Sequence, residues 1–407
     1  SFIKVDSLTE RIPKDFGDWN NNGKKNLLTN WGRSTYLLEE DTPNSGKFKN
    51  ISSIENNAWP ILIDDVDKDG INELLTIVSD SIINVYKVRN DLTLDSVATV
   101  RNYTPKSFGK NVFDSPSALI IDTDNDGINE LWLVDADGDI FGYNILPNNN
   151  YVPILNKVIR TEFSSASNYI TSGDFDGDGK IDIAVILHSV PELDIASYHR
   201  VIVFNNSSTA LNILYDNAYV DPASEFNRFT RRTYNNLKLV DIDNDGKSEL
   251  ILFLFPYSYI IKHNSTSSEV ISFDENINAN VIFVSDFNKN NVPEIAYPQN
   301  DKIRFYEFST SNKAYTPTQV KGFSTDSIRV KLTWYGQGNK FYIYKNRIGE
   351  PSQLIDSTLI NSYTDPDIEL NTYYNYRIQA LDNTKPISLS EISRPTEVYH
   401  HSPAKVL

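Results

Sequence analysis

Asp174-Phe175-Asp176-Gly177-Asp178-Gly179-Lys180-Ile181-Asp182 is the stretch from which the fold can be read. Carboxylates stand at positions one, three, five and nine, with a Gly at six. Hard oxygen ligands are wrapped around a Ca²⁺ ion in this way: the carboxylates bring charge, the Gly permits a sharp turn, and the backbone carbonyl at position seven adds a ligand. Mg²⁺ suits such an all-protein oxygen cage less well, because it is smaller and keeps its waters.

The start of the stretch is that of an EF-hand loop, but the continuation is not. An EF-hand closes with a bidentate Glu at position twelve between two helices, whereas Val185 stands there and the flanks, Tyr169-Ile170-Thr171 and Ile183-Ala184-Val185-Ile186-Leu187, are rich in β-formers. The acid at position nine closes the loop instead, so the reading is a strand, a metal loop and a second strand.

Related stretches begin at residues 18, 65, 122, 241 and 286, so six copies recur 45 to 67 residues apart. Positions one, three, five and nine are Asp65, Asp67, Asp69 and Glu73 in the second copy, Asp122, Asp124, Asp126 and Glu130 in the third, and Asp241, Asp243, Asp245 and Glu249 in the fifth. The first copy is degenerate, with Asp18, Asn20, Asn22 and Asn26, and the sixth is weakened, with Asp286, Asn288, Asn290 and Glu294. The position-seven carbonyls belong to Lys24, Ile71, Ile128, Lys180, Lys247 and Val292. Four to six structural Ca²⁺ ions are expected on these residues.

An apolar strand leads into each loop and another leads out, as in Ala118-Leu119-Ile120-Ile121 and Leu131-Trp132-Leu133-Val134. A turn and two further strands follow, for example Ile83 to Val88 and Leu92 to Val100. Four strands per repeat without helical periodicity predict an all-β chain whose residues 1–316 form a six- or seven-bladed β-propeller. Its last blade lacks a clear fourth strand after Phe308, which Phe2 to Leu8 would supply as a clasp. The long interval before Asp241 reads as a loop insertion around Ser189 to Ser224.

The Asp174 stretch with its Ile181-Asp182-Ile183-Ala184-Val185 continuation resembles the FG-GAP or VCBS repeat of integrin α-subunits and many secreted bacterial proteins. The resemblance spans about residues 10 to 310. It implies a propeller whose Ca²⁺ loops are structural and lie away from the usual ligand face. Residues 317–399 are similar to a fibronectin type III β-sandwich: an early Trp334, a late Tyr374-Asn375-Tyr376-Arg377-Ile378-Gln379-Ala380 strand, and Tyr374 as a corner tyrosine. Residues 400–407 read as a tail leading to a further module. The pairing of the two modules is similar to that often found in secreted surface proteins of Bacteroidota type.

Composition narrows the function. The net charge of −16 is largely ligand inventory, and it disfavours a nucleic-acid partner. Cys is absent, which excludes disulfides, zinc-thiolate sites and thiol nucleophiles. Loops of this kind need about 0.1 to 1 mM free Ca²⁺, a level found outside cells. An extracellular or cell-surface location is therefore expected, and the lack of Met at the start suggests a processed product or fragment. No apolar run approaches the roughly 20 residues of a membrane span.

Catalytic patterns are scarce. His188, His199, His263, His400 and His401 fall in no metal-triad spacing and read as surface or loop residues, and neither a Gly-x-Ser-x-Gly elbow nor a Walker loop occurs. The 23 Tyr and 5 Trp would suit sugar stacking, but strand-face packing and cross-strand pairs are the favoured reading of any given one. Asn205-Asn206-Ser207 matches a glycosylation acceptor, as chance allows in an Asn-rich chain. The reading is a non-enzymatic calcium-binding module for adhesion, surface assembly or protein interaction, with extracellular protein or glycan partners. The alternative is carbohydrate binding or polysaccharide processing.

Overall fold

The computed structural model describes residues 12–400 except 56–57, 80–81, 104–117, 136–138, 158–164, 190–197, 208–209, 221–236, 255–256, 265–266, 275–281, 300–301, 309–313, 327 and 384–387. The Phe2 to Leu8 clasp and the 401–407 tail lie outside the described residues. Every regular element among those described is a strand.

The repeats fold as antiparallel meanders. The first is β1 (Ile12–Gly17), β2 (Asn26–Trp31), β3 (Ser34–Glu40) and β4 (Phe48–Ile54). The second is β5 (Trp59–Asp64), β6 (Glu73–Ser79), β7 (Ile82–Val88) and β8 (Leu94–Arg101). The third is β9 (Ala118–Ile121), β10 (Asn129–Val134), β11 (Ile140–Leu146) and β12 (Asn150–Lys157). The fourth is β13 (Ser165–Gly173), β14 (Asp182–Ser189), β15 (Tyr198–Ser207) and β16 (Ala210–Val220). The fifth is β17 (Leu237–Val240), β18 (Glu249–Leu254), β19 (Tyr257–Asn264) and β20 (Ser267–Asp274), and the sixth has three strands, β21 (Phe283–Ser285), β22 (Glu294–Gln299) and β23 (Lys302–Glu307). β15 and β16 occupy much of the interval expected to be a loop insertion.

Each metal-type loop joins the first strand of a sheet to the second. That second strand is the most apolar because both of its faces are covered: in β10, Leu131 and Leu133 pack with Leu75, Ile77 and Val85 of the second sheet, while Trp132 and Val134 pack with Ile183, Val185 and Leu187 of the fourth. The period of two sends alternate side chains to opposite neighbours. Leu28 and Leu37 meet Leu74 and Val88 between sheets one and two, and Ile251 and Phe253 meet Ile295 and Tyr297 between sheets five and six, in the same manner. A register shift recurs between the third and fourth strands of all five four-stranded sheets, at Leu37/Leu38, Val85/Tyr86, Gly142/Tyr143, Val203/Phe204 and Ile260/Ile261. Such bulges bend the outer strand and increase its twist.

The expected six- or seven-bladed propeller is corrected here. Among the described residues the repeats form small separate sheets of three or four strands, with no closed ring. A recurring loop reports the repeating unit. It does not report whether the series closes, because face-to-face packing of neighbouring sheets satisfies the same apolar pattern.

At the C-terminal end, β24 (Thr318–Asp326), β25 (Arg329–Tyr335) and β28 (Ser362–Asp365) form one sheet, and β26 (Lys340–Arg347), β27 (Gln353–Thr358), β29 (Thr372–Asp382), β30 (Ser388–Leu389) and β31 (Thr396–His400) form another. Val330, Leu332 and Trp334 of β25 face Tyr374, Tyr376, Ile378 and Ala380 of β29 across one core, which makes this part a β-sandwich. The Tyr374 hydroxyl accepts a hydrogen bond from the Glu369 backbone N–H at 2.8 Å. Contacts divide the chain into two compact units, residues 1–173 with 179–234, and residues 174–178 with 235–407.

Candidate metal centres

The six loops share one backbone. Position four is left-handed in each (Asn21, Lys68, Asn125, Gly177, Asn244 and Lys289), and so is position six, held by Gly23, Gly70, Gly127, Gly179, Gly246 and Asn291. Gly and Asn dominate because their side chains tolerate positive φ. The carboxylate at position one then closes the turn. Asp65 accepts from the N–H groups of Asp69 and Gly70 at 3.0 and 2.9 Å, Asp122 from Asp126 and Gly127 at 3.1 and 2.8 Å, and Asp241 from Asp245 and Gly246 at 3.2 and 2.9 Å. Asp18 and Asp286 do the same for Asn22, Gly23, Asn290 and Asn291. The position-five side chain accepts the N–H at position seven, linking Asn22 to Lys24, Asp69 to Ile71, Asp126 to Ile128, Asp245 to Lys247 and Asn290 to Val292.

Position nine is buried in every loop: Asn26, Glu73, Glu130, Asp182, Glu249 and Glu294. The four Glu side chains accept the position-two N–H, as in Glu73 to Val66 at 3.1 Å and Glu249 to Ile242 at 3.0 Å. Position two itself is an anchor that composition did not single out. Val66, Thr123, Phe175 and Ile242 are buried there, and Val66 and Ile242 join the intersheet cores. Position eight was also missed: Asn72 and Asn129 donate to the carbonyls of Trp19 and Val66 in the preceding loop, at 2.9 and 3.0 Å.

Four loops bring carboxylates together. Ligand oxygens lie within 4.8 Å of one another in the groups Asp122, Asp124, Asp126 and Glu130; Asp65, Asp67 and Glu73; Asp174, Asp176 and Asp182; and Asp241, Asp243 and Glu249. Such clusters can hold a metal ion. The third loop fits one best. Glu130 Oε2 accepts from the Thr123 N–H and hydroxyl, whereas its buried Oε1 has no hydrogen-bond partner, and among the described residues no Lys or Arg pairs with the four acids. Burial raises the Glu130 carboxyl above its usual range, and the charges of Asp124 and Asp122 act in the same direction against the Thr123 hydrogen bonds. A bound cation reverses that balance by favouring the ionised form.

In the second loop, Asn149 donates from its backbone and side chain to Asp67 at 3.0 and 3.2 Å and from its side chain to Glu73 at 3.2 Å, and Asp67 Oδ1 keeps no partner. Lys87 pairs with Asp69. Burial, with the charge of Asp67, pushes Glu73 up to about 7. The fifth loop already contains a cation. Lys262 Nζ lies 2.6 Å from Asp243, 2.8 Å from Asp245 and 3.0 Å from Glu249.

The first and sixth loops do not fit a metal in the way expected. Side-chain amides of Asn20 and Asn22 donate to Glu39 at 3.3 and 2.8 Å, Lys24 pairs with Glu39 at 3.2 Å, and the Asn26 oxygen accepts the Trp19 N–H at 2.8 Å. The amides of Asn288 and Asn290 donate to Glu307 at 3.2 and 2.6 Å. Amide donors thus point at a carboxylate where oxygen ligands were expected. Glu39, Lys87, Asn149, Lys262 and Glu307 carry no local signal, because strand pairing or a hairpin of another sheet delivers them.

The histidines also depart from expectation. His199, His263 and His400 are buried in strands, and His400 Nδ1 lies 2.7 Å from the Ser324 hydroxyl. The ring of His401 lies outside the described residues.

No family model matches the chain, and no curated protein matches it. Among solved structures, the FN5 domain of Drosophila Lar is 15% identical, covering 21% of this chain and 96% of that one at a TM-score of 0.19. The fourth fibronectin type III domain of a human protein is 18% identical, covering 25% and 91% at 0.20. A protein described as a 6-phosphogluconolactonase from Bacteroides fragilis is 12% identical, covering 74% and 82% at 0.42. Among the described residues no helix is long and apolar enough to cross a membrane.

Proposed function

We propose that this chain is a non-enzymatic, calcium-binding module that works outside the cell in adhesion, surface assembly or protein interaction. The carrying observation is the third loop, where Asp122, Asp124, Asp126 and Glu130 converge and a buried Glu130 oxygen has no other partner. An all-oxygen, highly charged donor set suits a hard divalent ion, and Ca²⁺ more than Mg²⁺. Asp122, Asp124, Asp126 and Glu130 would hold it, with Asp65, Asp67 and Glu73 as a second set. Bound there, the ion would neutralise clustered acids and stiffen the turn between two buried strands. The FG-GAP or VCBS resemblance of the loops supports a structural role, and carboxylates committed to a metal are poor proton-transfer groups.

Calorimetric titration of the chelator-stripped chain with Ca²⁺ tests the reading. Saturable binding that weakens by one site in Asp124→Asn supports it. Heat no larger than dilution, or a stoichiometry indifferent to Asp124→Asn, removes it. Calcium-dependent capture on a glycan array would shift the role to carbohydrate recognition.

A further inference from the structure

The residue across the sheet from position nine follows a rule that the loops themselves do not reveal. Asn26 pairs with Glu39, Glu73 with Lys87, Glu130 with Asn144 and Glu294 with Glu307, and Lys262 follows the Leu250 to Ile261 pair beside Glu249. In the first, second, fifth and sixth loops its charge complements the side chains it faces. Where positions three and five are Asn, the facing residue is Glu and accepts from their amides. Where they are Asp in the second and fifth loops, it is Lys. Opposite the third loop it is the uncharged Asn144.

We infer that the fifth loop supplies its own cation, the Lys262 ammonium, and takes no divalent ion. Lys262 has three N–H donors and meets three carboxylates, those of Asp243, Asp245 and Glu249. These are positions three, five and nine, the side chains that would ligate a metal in the neighbouring repeats. A divalent ion among them would touch the ammonium. The side chain is largely enclosed, at 10% exposure, so moving it out would break three close ion pairs, the one to Asp243 also a hydrogen bond. Asp243 Oδ1 and Glu249 Oε1 are buried without a hydrogen-bond partner, the latter 3.0 Å from the ammonium that neutralises it. In the second loop Lys87 pairs closely with Asp69 but stands 3.8 Å from Glu73, against 3.0 Å from Lys262 to Glu249 in the fifth.

This inference rests on reading the third loop as a metal site, and its test separates the two. Bound Ca²⁺ is counted by equilibrium dialysis of the chelator-stripped full chain. Asp243→Asn in the otherwise unaltered chain should leave the count unchanged, while Lys262→Gln and Lys262→Asn should each raise it by one ion, a gain that adding Asp243→Asn abolishes. Loss of an ion in Asp243→Asn alone, or no gain in either Lys262 variant, overturns the inference; if the Lys262 variants do not fold, the Asp243→Asn count decides. Asp124→Asn reports on the third loop separately. An unaltered chain that binds no Ca²⁺ together with a Lys262 variant that binds one would sink the third-loop reading and keep this inference.

Discussion

Trp132 stands directly across from Gly142 in the β10/β11 ladder, and its ring fills the space a Cβ there would need, with the nearest ring carbon 3.0 Å from that position. The Tyr103 hydroxyl donates to the Gly142 carbonyl at 3.0 Å. An aromatic laid over a strand glycine compensates for the side chain the glycine lacks. Trp132 also packs toward Ile183 and Val185, so the pair couples the third sheet to the fourth.

Gly142→Ala should therefore destabilise the fold by about 1–3 kcal/mol through overpacking, and Trp132→Ala by about 3–5 kcal/mol through the cavity it leaves. Urea denaturation of both variants measures this. A Gly142→Ala protein as stable as the parent would mean that the ring moves aside freely.

Calcium should protect the chain against heat. At a free ion concentration about 100 times the dissociation constant, one site adds about 2.7 kcal/mol, which appears as a rise of several degrees in Tm. Glu130→Gln should lose part of that rise while melting close to the parent in chelator. An identical calcium response in the two proteins would take Glu130 out of the ligand set.

Tyr376 and Lys345 share one buried acid in the sandwich. The hydroxyl donates to Asp365 at 2.7 Å and the Lys345 ammonium lies 2.8 Å from the same carboxylate. Tyr376→Phe removes one donor without changing the packing of the ring, and is expected to cost about 1–3 kcal/mol. A calorimetric melt in which this variant is indistinguishable from the parent would show that Lys345 alone satisfies Asp365.

His263 gives stability a pH dependence of definite sign. Burial holds its imidazole below the ordinary range, with Asp176 acting against the shift and Lys247 with it; the ring rests 5.2 Å from that of Phe175 and Nδ1 is 2.9 Å from the Ser268 hydroxyl. A depressed folded-state value means that the stability is complete above the unfolded value of about 6.5 and is lost as pH falls through the folded one. Melting temperatures followed from pH 7.5 downward should drop more steeply in the parent than in His263→Gln. Parallel curves for the two would assign the acid response to other groups.

The loops were legible because their chemistry is local. Positions one, five, six and seven of the third copy bond to one another within a few residues, so the spacing of Asp and Gly in Asp122 to Glu130 is enough to name the turn and its two strands. The alternating apolar residues of β10 and β25 were readable for the same reason, since a strand's period of two is carried by neighbouring residues.

What the sequence by itself determined is the repeating strand, acidic loop and strand, and the sandwich strands built around Trp334 and Tyr376. Only the tertiary structure decided how those units are used. It left the sheets without a closed ring among the described residues, and it set Glu39, Lys262 and Glu307 against loops 17 to 19 residues before them in the chain. The physical reason is reach: a turn is fixed by bonds between near neighbours, whereas the charge that faces a loop arrives on another strand, through a hydrogen-bond register that local spacing does not encode.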